Sequence, residues 1–216
     1  MSDEPLNKNV FVNCPFDSEF APLLEAIVFC ITYFGFTPHL ASERLEAGEN
    51  RLDKIIGLIK QAQFSVHDLS RCKSTGVGET FRMNMPFELG LDLGYRRSGI
   101  AQAEKKKFLI FERDPYDLKR SLSDIAGQDV ESHRDDYEIV IKKVRDFFRV
   151  EAGVNAPGPA RLISDYATFL GWMTEKKIHE GHSEKEALNL PTQERLDEMK
   201  AWNVAGRPSE FVTLEA

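Results

Sequence analysis

The sequence predicts an α/β protein, an open, doubly wound parallel sheet of about five strands followed by a helical C-terminal extension. Three observations carry that reading. Between residues 9 and 151, short runs rich in Val, Ile and Phe alternate with longer segments whose apolar residues recur at helical spacing, which is how parallel strands joined by crossover helices read. The strand-like runs stop at turn-forming residues: Asn13, Asp68, and Pro115 after Asp114. The stretch 153–159, Gly-Val-Asn-Ala-Pro-Gly-Pro, is a linker by composition, and only helical patterns follow it. The division is therefore an α/β domain over 1–152 and a helical extension over 153–216.

Residues 9–13, Asn-Val-Phe-Val-Asn, form the first strand, broken by Cys14-Pro15-Phe16-Asp17. Asp17 or Ser18 caps a helix that runs to Gly35, where glycine supplies the stop. Its apolar residues cover more than one face, so it packs on the sheet and on something further, for which a neighbouring subunit is one candidate. Residues 36–41 are the second strand, 42–50 a polar loop, and 51–61 a helix with Leu52, Ile55, Ile56 and Ile59 in phase. The third strand is 64–68, ending in Asp68. The polar loop 70–84 has the make-up of a cover over a site.

A helix then starts around Asn84-Met85-Pro86, with Asn84 as cap and Pro86 at the first helical position. Gly90 and Gly94 lie four apart on one face and allow close approach to the sheet, while Asp92 reads as solvated. The fourth strand is 108–111, entered from Lys105-Lys106-Lys107, a solvated cluster by pattern. A short helical piece at 116–125, a weak strand at 129–130 and a closing amphipathic helix over 134–151 complete the domain. The extension holds helices at 160–177 and 192–202, the second too short and charged to stand alone, so it docks on the main domain or on a partner.

Composition narrows the function classes. The chain has 216 residues, 42% hydrophobic and 29% charged, with a net charge of −7, which argues against a protein built to grip a nucleic-acid backbone. Three cysteines without metal-ligand spacing fit a reducing cytoplasm, and no metal site is expected. The polar N-terminus is no secretory signal, and the apolar stretch 23–36 falls short of the ~20 residues of a membrane span, so the expected location is cytoplasmic without a membrane partner.

Glu88 is the central candidate. Placed in a first helical turn, it would be held ionised by the helix dipole, or would simply help satisfy free N–H groups there. In an open α/β sheet ligands bind beyond the carboxyl ends of the strands, so Asp68 and Glu88 are expected in one cleft. Arg82 is placed to meet a phosphate or Glu88 itself. Cys14 and His67 as nucleophile and base lack a third, orienting group, and His67 reads instead as a satisfied histidine.

Val10-Phe11-Val12-Asn13-Cys14-Pro15-Phe16-Asp17, His67-Asp68-Leu69-Ser70 and Met85-Pro86-Phe87-Glu88-Leu89-Gly90 follow in the order and approximate spacing of nucleoside 2-deoxyribosyltransferases and bacterial TIR-like domains, which the chain resembles over residues 10–150. The resemblance implies a flavodoxin-like sheet of order 2-1-3-4-5. It also implies a catalytic Glu88, an Asp68 near base and sugar hydroxyls, and a pocket lined by Asn13, Cys14, Pro15, Phe16, Asp17, Arg82 and Asn84. Met85-Pro86 stands where the transferases have small residues, which narrows the entrance.

The implied chemistry is cleavage of an N-glycosidic bond, in which an ionised carboxylate supports or traps an oxocarbenium-like sugar. The partner is a small nucleotide, NAD or another, as substrate or ligand, with no cofactor required. The same resemblance implies, as expectations, a role in bacterial antiviral defence and a homo-oligomeric state. Two other readings stand beside it: a nucleotide sensor that binds without cutting, and an assembly module built on the apolar first helix and the C-terminal helices.

Overall fold

The computed structural model describes residues 7–40, 48, 50–71, 82–125 and 127–212. Five parallel strands, β1 (Asn9–Asn13), β2 (Thr37–Leu40), β3 (Phe64–Asp68), β4 (Lys107–Glu112) and β5 (Glu131–Ser132), stand in the order β2-β1-β3-β4-β5. This is the flavodoxin-like, doubly wound arrangement expected from the sequence. Most of the expected loop cover at 70–84, and nearly all of the loop at 42–50, lie outside the described residues.

Side-chain alternation along the strands sorts the two faces of the sheet. Val10, Val12, Phe64, Val66, Leu109 and Phe111 meet α1 (Ala21–Tyr33) and α6 (Tyr137–Glu151) in one apolar cluster. Phe11 points the other way, onto Ile55, Leu58 and Ile59 of α2 (Arg51–Gln61) and against Leu91 and Tyr95 of α3 (Asn84–Arg96). Met85 and Leu89 of α3 join Leu69 and Ile110 in a third cluster. Short helices α4 (Ala101–Glu104) and α5 (Asp117–Ser121) flank β4.

Local chemistry accounts for most of the boundaries. The side chain of Asn50 accepts the Leu52 N–H at 2.9 Å and starts α2, while Gly35, at φ +76°, turns the chain out of α1. Helix α6 begins at Tyr137 and not at 134, because Arg134 and Asp135 take left-handed φ values of 53° and 58° and Asp136 caps, accepting the Glu138 N–H at 2.8 Å. Strand β5 falls two residues after its expected place.

Three further expectations are corrected. Helix α3 begins at Asn84, since the Phe87 N–H already bonds the Met83 carbonyl at 3.1 Å; Pro86 sits two positions inside, where an N–H has no intrahelical acceptor to lose. Gly90 and Gly94 are exposed and a side chain at either would meet open space, so they permit no close approach to the sheet. Lys106 is not solvated but 1% exposed.

The second face of α1 is covered by the chain's own extension, α7 (Pro159–His179), α8 (Glu184–Leu188) and α9 (Thr192–Val204), not by a neighbouring subunit. Phe29 packs among Tyr166, Phe169 and Trp202 with ring centroids 4.9, 5.7 and 6.0 Å away. Polar ties flank this contact. Tyr33 donates its hydroxyl to Asp165 at 2.9 Å, Arg195 pairs with Glu25 at 3.0 Å, and Arg207 donates to the Tyr33 carbonyl at 2.6 Å. Each fully buried large apolar side chain here contributes about 1.5–3 kcal/mol, which explains why the highly charged α9 is held in place. No helix among the described residues is long and apolar enough to cross a membrane.

Candidate functional site

The connection leaving β1 runs to one side of the sheet and that leaving β3 to the other, which opens a crevice at their carboxyl ends. A cleft of about 550 Å³ lies there. The loop after β1 lines it with Asn13, Cys14, Pro15, Phe16 and Asp17, the start of α2 with Arg51, and the approach to α3 with Arg82, Met83, Asn84, Met85 and Glu88. The structure thus brings together every predicted site residue except Asp68.

Glu88 is 4% exposed and comes from the buried stripe of α3. It lies in the second turn, because α3 starts at Asn84, so the helix dipole acts on it less than a first-turn position would allow. Burial raises its carboxyl above the ordinary glutamate range, opposed by Arg51, whose Nη2 is 3.7 Å from Oε1. The expected dipole-held carboxylate is therefore a desolvated one, balanced among the described residues by Arg51.

Arg82 turns to Asp17, 3.0 Å from its Oδ2, and not to Glu88. Asp17 also takes Arg71 at 3.2 Å and the Phe20 N–H at 3.0 Å. Burial works against its charge, but the Phe20 hydrogen bond and the two arginines outweigh that and hold its carboxyl below the ordinary range. Asp17 is the acid in the cleft whose neighbours favour its ionised form.

Asp68 sits behind the cleft. Successive strand residues face opposite sides, so Ser65 and His67 point to α3 while Asp68 points to the α1 side. There it is 1% exposed, accepts the Ser70 N–H and hydroxyl at 2.9 and 2.5 Å, and lies 3.1 Å from His133 Nε2, off the line of a hydrogen bond. The Asp135 N–H donates to His133 Nδ1 at 2.9 Å, which leaves the proton of that ring on Nε2, toward Asp68.

Asn13 serves more as a tie than as a free contact. Its amide nitrogen is 2.9 Å from the Met85 carbonyl and 3.0 Å from His67 Nδ1, so both its hydrogens are engaged and only its carbonyl oxygen remains for a ligand. His67 Nε2 lies 3.1 Å from Asp92 Oδ2, which also accepts from Ser65 Oγ at 2.6 Å; Lys106 Nζ stands 3.1 Å from Asp92 Oδ1. Asp92 is thus wholly buried, not solvated. Burial disfavours its charge, yet His67, Lys106 and Ser65 together pull its carboxyl below the ordinary range, and burial lowers Lys106 against the opposing pull of Asp92.

Cys14 is 2% exposed, and burial, with Asp68, Glu88 and Asp17 nearby, drives its thiol well up. His67 is engaged with Asn13 and Asp92, so the Cys14 thiol does not have it as a base, and burial disfavours its thiolate. Among the described residues no group of three His, Cys, Asp or Glu is placed to hold a metal ion.

Sequence reasoning missed Arg51, Asp92 and Lys106. Residues 85, 88, 89 and 92 share one helical stripe, so Asp92 occupied a core position that its charge concealed. Arg51 and Lys106 carry no local signal, since their partners lie on other elements. Comparison with protein-family models, with curated proteins and with solved structures finds no match.

Proposed function

We propose that the cleft binds a nucleotide and cleaves its N-glycosidic bond, with the Glu88 carboxylate facing the anomeric carbon. One observation carries this reading: a buried carboxylate in a crevice at the sheet's switch point, with Arg51 beside it and Arg82, paired with Asp17, lining the same cleft. Guanidinium groups suit phosphates, and a desolvated carboxylate suits a developing sugar cation.

Two further features favour NAD, and with it the single-glutamate chemistry of the TIR-like resemblance over a two-carboxylate transferase. Asp68 is committed to Ser70 and faces His133 behind the cleft. Asp17, kept ionised by its neighbours, is a poor proton donor to a leaving base. Nicotinamide needs none, because it departs neutral from a cationic nucleotide. Its positive charge also stabilises the ionised form of Glu88 against the burial that disfavours it.

In the reaction the bond between the sugar carbon and the pyridinium nitrogen breaks, its electron pair leaving with nicotinamide. Water adds to the sugar carbon and loses a proton, giving ADP-ribose, nicotinamide and a proton. Glu88 supports the cationic sugar and receives the water's proton on its way to solvent. No resident cofactor is part of this scheme. The test is incubation of the protein with NAD and a panel of nucleosides and nucleotides, followed by chromatography; free nicotinamide is the expected product, and release from nucleosides in preference to NAD would return the reading to the transferases.

A further inference from the structure

Glu88 hangs between two residues of its own helix that are each tied to the sheet. Met85, one turn before it, gives its carbonyl to Asn13 at 2.9 Å; Asp92, one turn after it, accepts from Ser65 at 2.6 Å. His67 joins the two ties, with Nδ1 3.0 Å from Asn13 Nδ2 and Nε2 3.1 Å from Asp92 Oδ2. Asn13 and His67 are direct neighbours across β1 and β3, so the bridge crosses the seam on which the cleft stands.

The hydrogen-bond roles run in one direction. The Met85 carbonyl can only accept, so the Asn13 amide points its N–H groups toward both Met85 and His67. His67 Nδ1 must then accept, Nε2 must carry the proton, and Asp92 must take it. Lys106 supplies the matching charge 3.1 Å from Asp92 Oδ1, off the line of a hydrogen bond, and donates to the carbonyls of Ile59 and Ala62 at 2.7 and 2.6 Å. Asn13, Ser65, His67, Asp92 and Lys106 are each at most 2% exposed. An apolar interface would hold a helix on a sheet without the desolvation that a buried ammonium and carboxylate require, so the network is kept for what it specifies.

We propose that His67, Asp92 and Lys106 are positioning residues, holding α3 in one rotational and axial setting so that Glu88 stands at the anomeric carbon. The kinetic part of this inference rests on the glycosidase reading; the geometric part does not. In Asp92→Asn an amide N–H must face either Lys106 or His67 Nε2–H. Facing Lys106 it meets an ammonium and pushes α3 away from β4; facing His67 it forces the imidazole into the opposite tautomer, which opposes the Asn13 amide and frees the Met85 carbonyl.

The experiment compares Asp92→Asn, His67→Leu and His67→Gln with wild type, each verified as folded by circular dichroism. It reads nicotinamide release from NAD and, separately, the titration of Glu88 by carboxyl carbon NMR. The expected result is a fall in kcat of about 10²-fold for Asp92→Asn and His67→Leu, the scale of a 1 Å misplacement, with KM changed by less than about threefold. His67→Gln, which can accept from Asn13 and donate to Asp92, recovers most of the loss. A kcat that merely tracks stability, with Gln no better than Leu, overturns the proposal. Should Asp92→Asn not fold, the two His67 variants decide alone. If wild type releases no base, the glycosidase reading fails by itself, and the Glu88 titration still decides the positioning: a midpoint displaced in His67→Leu and restored in His67→Gln supports it, and one unchanged throughout refutes it.

Discussion

Arg51 approaches Glu88 from the solvent side. Its Nη2 is 3.7 Å from Oε1, and the guanidinium side chain is 62% exposed while that of Glu88 is 5% exposed. At that distance and exposure the pair contributes little to stability. The guanidinium is therefore free to turn to a phosphate without leaving a strong bond behind. Arg51→Gln is expected to raise KM for NAD about tenfold, the loss of one charge-assisted hydrogen bond, and to leave weak nucleoside binding unchanged. Steady-state kinetics and calorimetric titration with a nucleoside check both halves.

The same carboxylate gives a stability signature. Burial raises the Glu88 carboxyl, so the folded state favours its protonated form; that contribution is complete below the unfolded glutamate value and is lost as pH rises through the folded one. At neutral pH the ionised group is a liability to the fold. Glu88→Gln is expected to melt higher than wild type at pH 7 by about 2–4 °C, which corresponds to about 1 kcal/mol for a chain of this size. The gap should close as pH falls toward 4, within the ordinary titration range of glutamate. Thermal denaturation across that range checks the sign.

Elements whose cause is local could be read from the chain. The bounds of β3 and α2 coincide with the expected ones, the latter fixed by the Asn50 cap, and Glu88 stands in the cleft at the switch point. Features whose cause is tertiary could not. Charged Asp92 and Lys106 read as solvated because the groups that neutralise them lie on β3, α2 and each other. Position along the strand places Asp68, the last residue of β3, at the crevice, whereas the parity of the pleat turns it to the α1 face.

The C-terminal helices are predicted to be integral to stability. Trp202 is 1% exposed and lies against Phe29 and Phe169, so Trp202→Ala is expected to cost about 3–5 kcal/mol in chemical denaturation. A chain ending at residue 158 exposes Phe29 and Tyr33 of α1 and is expected to aggregate, visible as early elution in size-exclusion chromatography. A monomeric, cooperatively folding truncation would show that the sheet and its flanking helices suffice.

Arg195, 4% exposed, is the cation that opposes the burial of Glu25. Arg195→Met leaves that carboxylate, 23% exposed, with only the Tyr166 hydroxyl at 3.5 Å and is expected to cost about 1–3 kcal/mol, the range for losing one partner of a charged hydrogen bond. Adding Glu25→Gln should recover much of the loss, since the unpaired charge is then gone. A double-mutant cycle in urea measures the recovery.

In the proposed reaction Glu88 performs chemistry at the anomeric carbon. The most direct test of that role is nicotinamide release from NAD by wild type and by Glu88→Gln at matched, independently measured NAD occupancy. Release by wild type is expected, with a loss of several orders of magnitude in Glu88→Gln while binding is retained. Equal release by both proteins, or tight NAD binding by wild type with no release at high protein concentration, would contradict it; the second result would leave the cleft a nucleotide sensor.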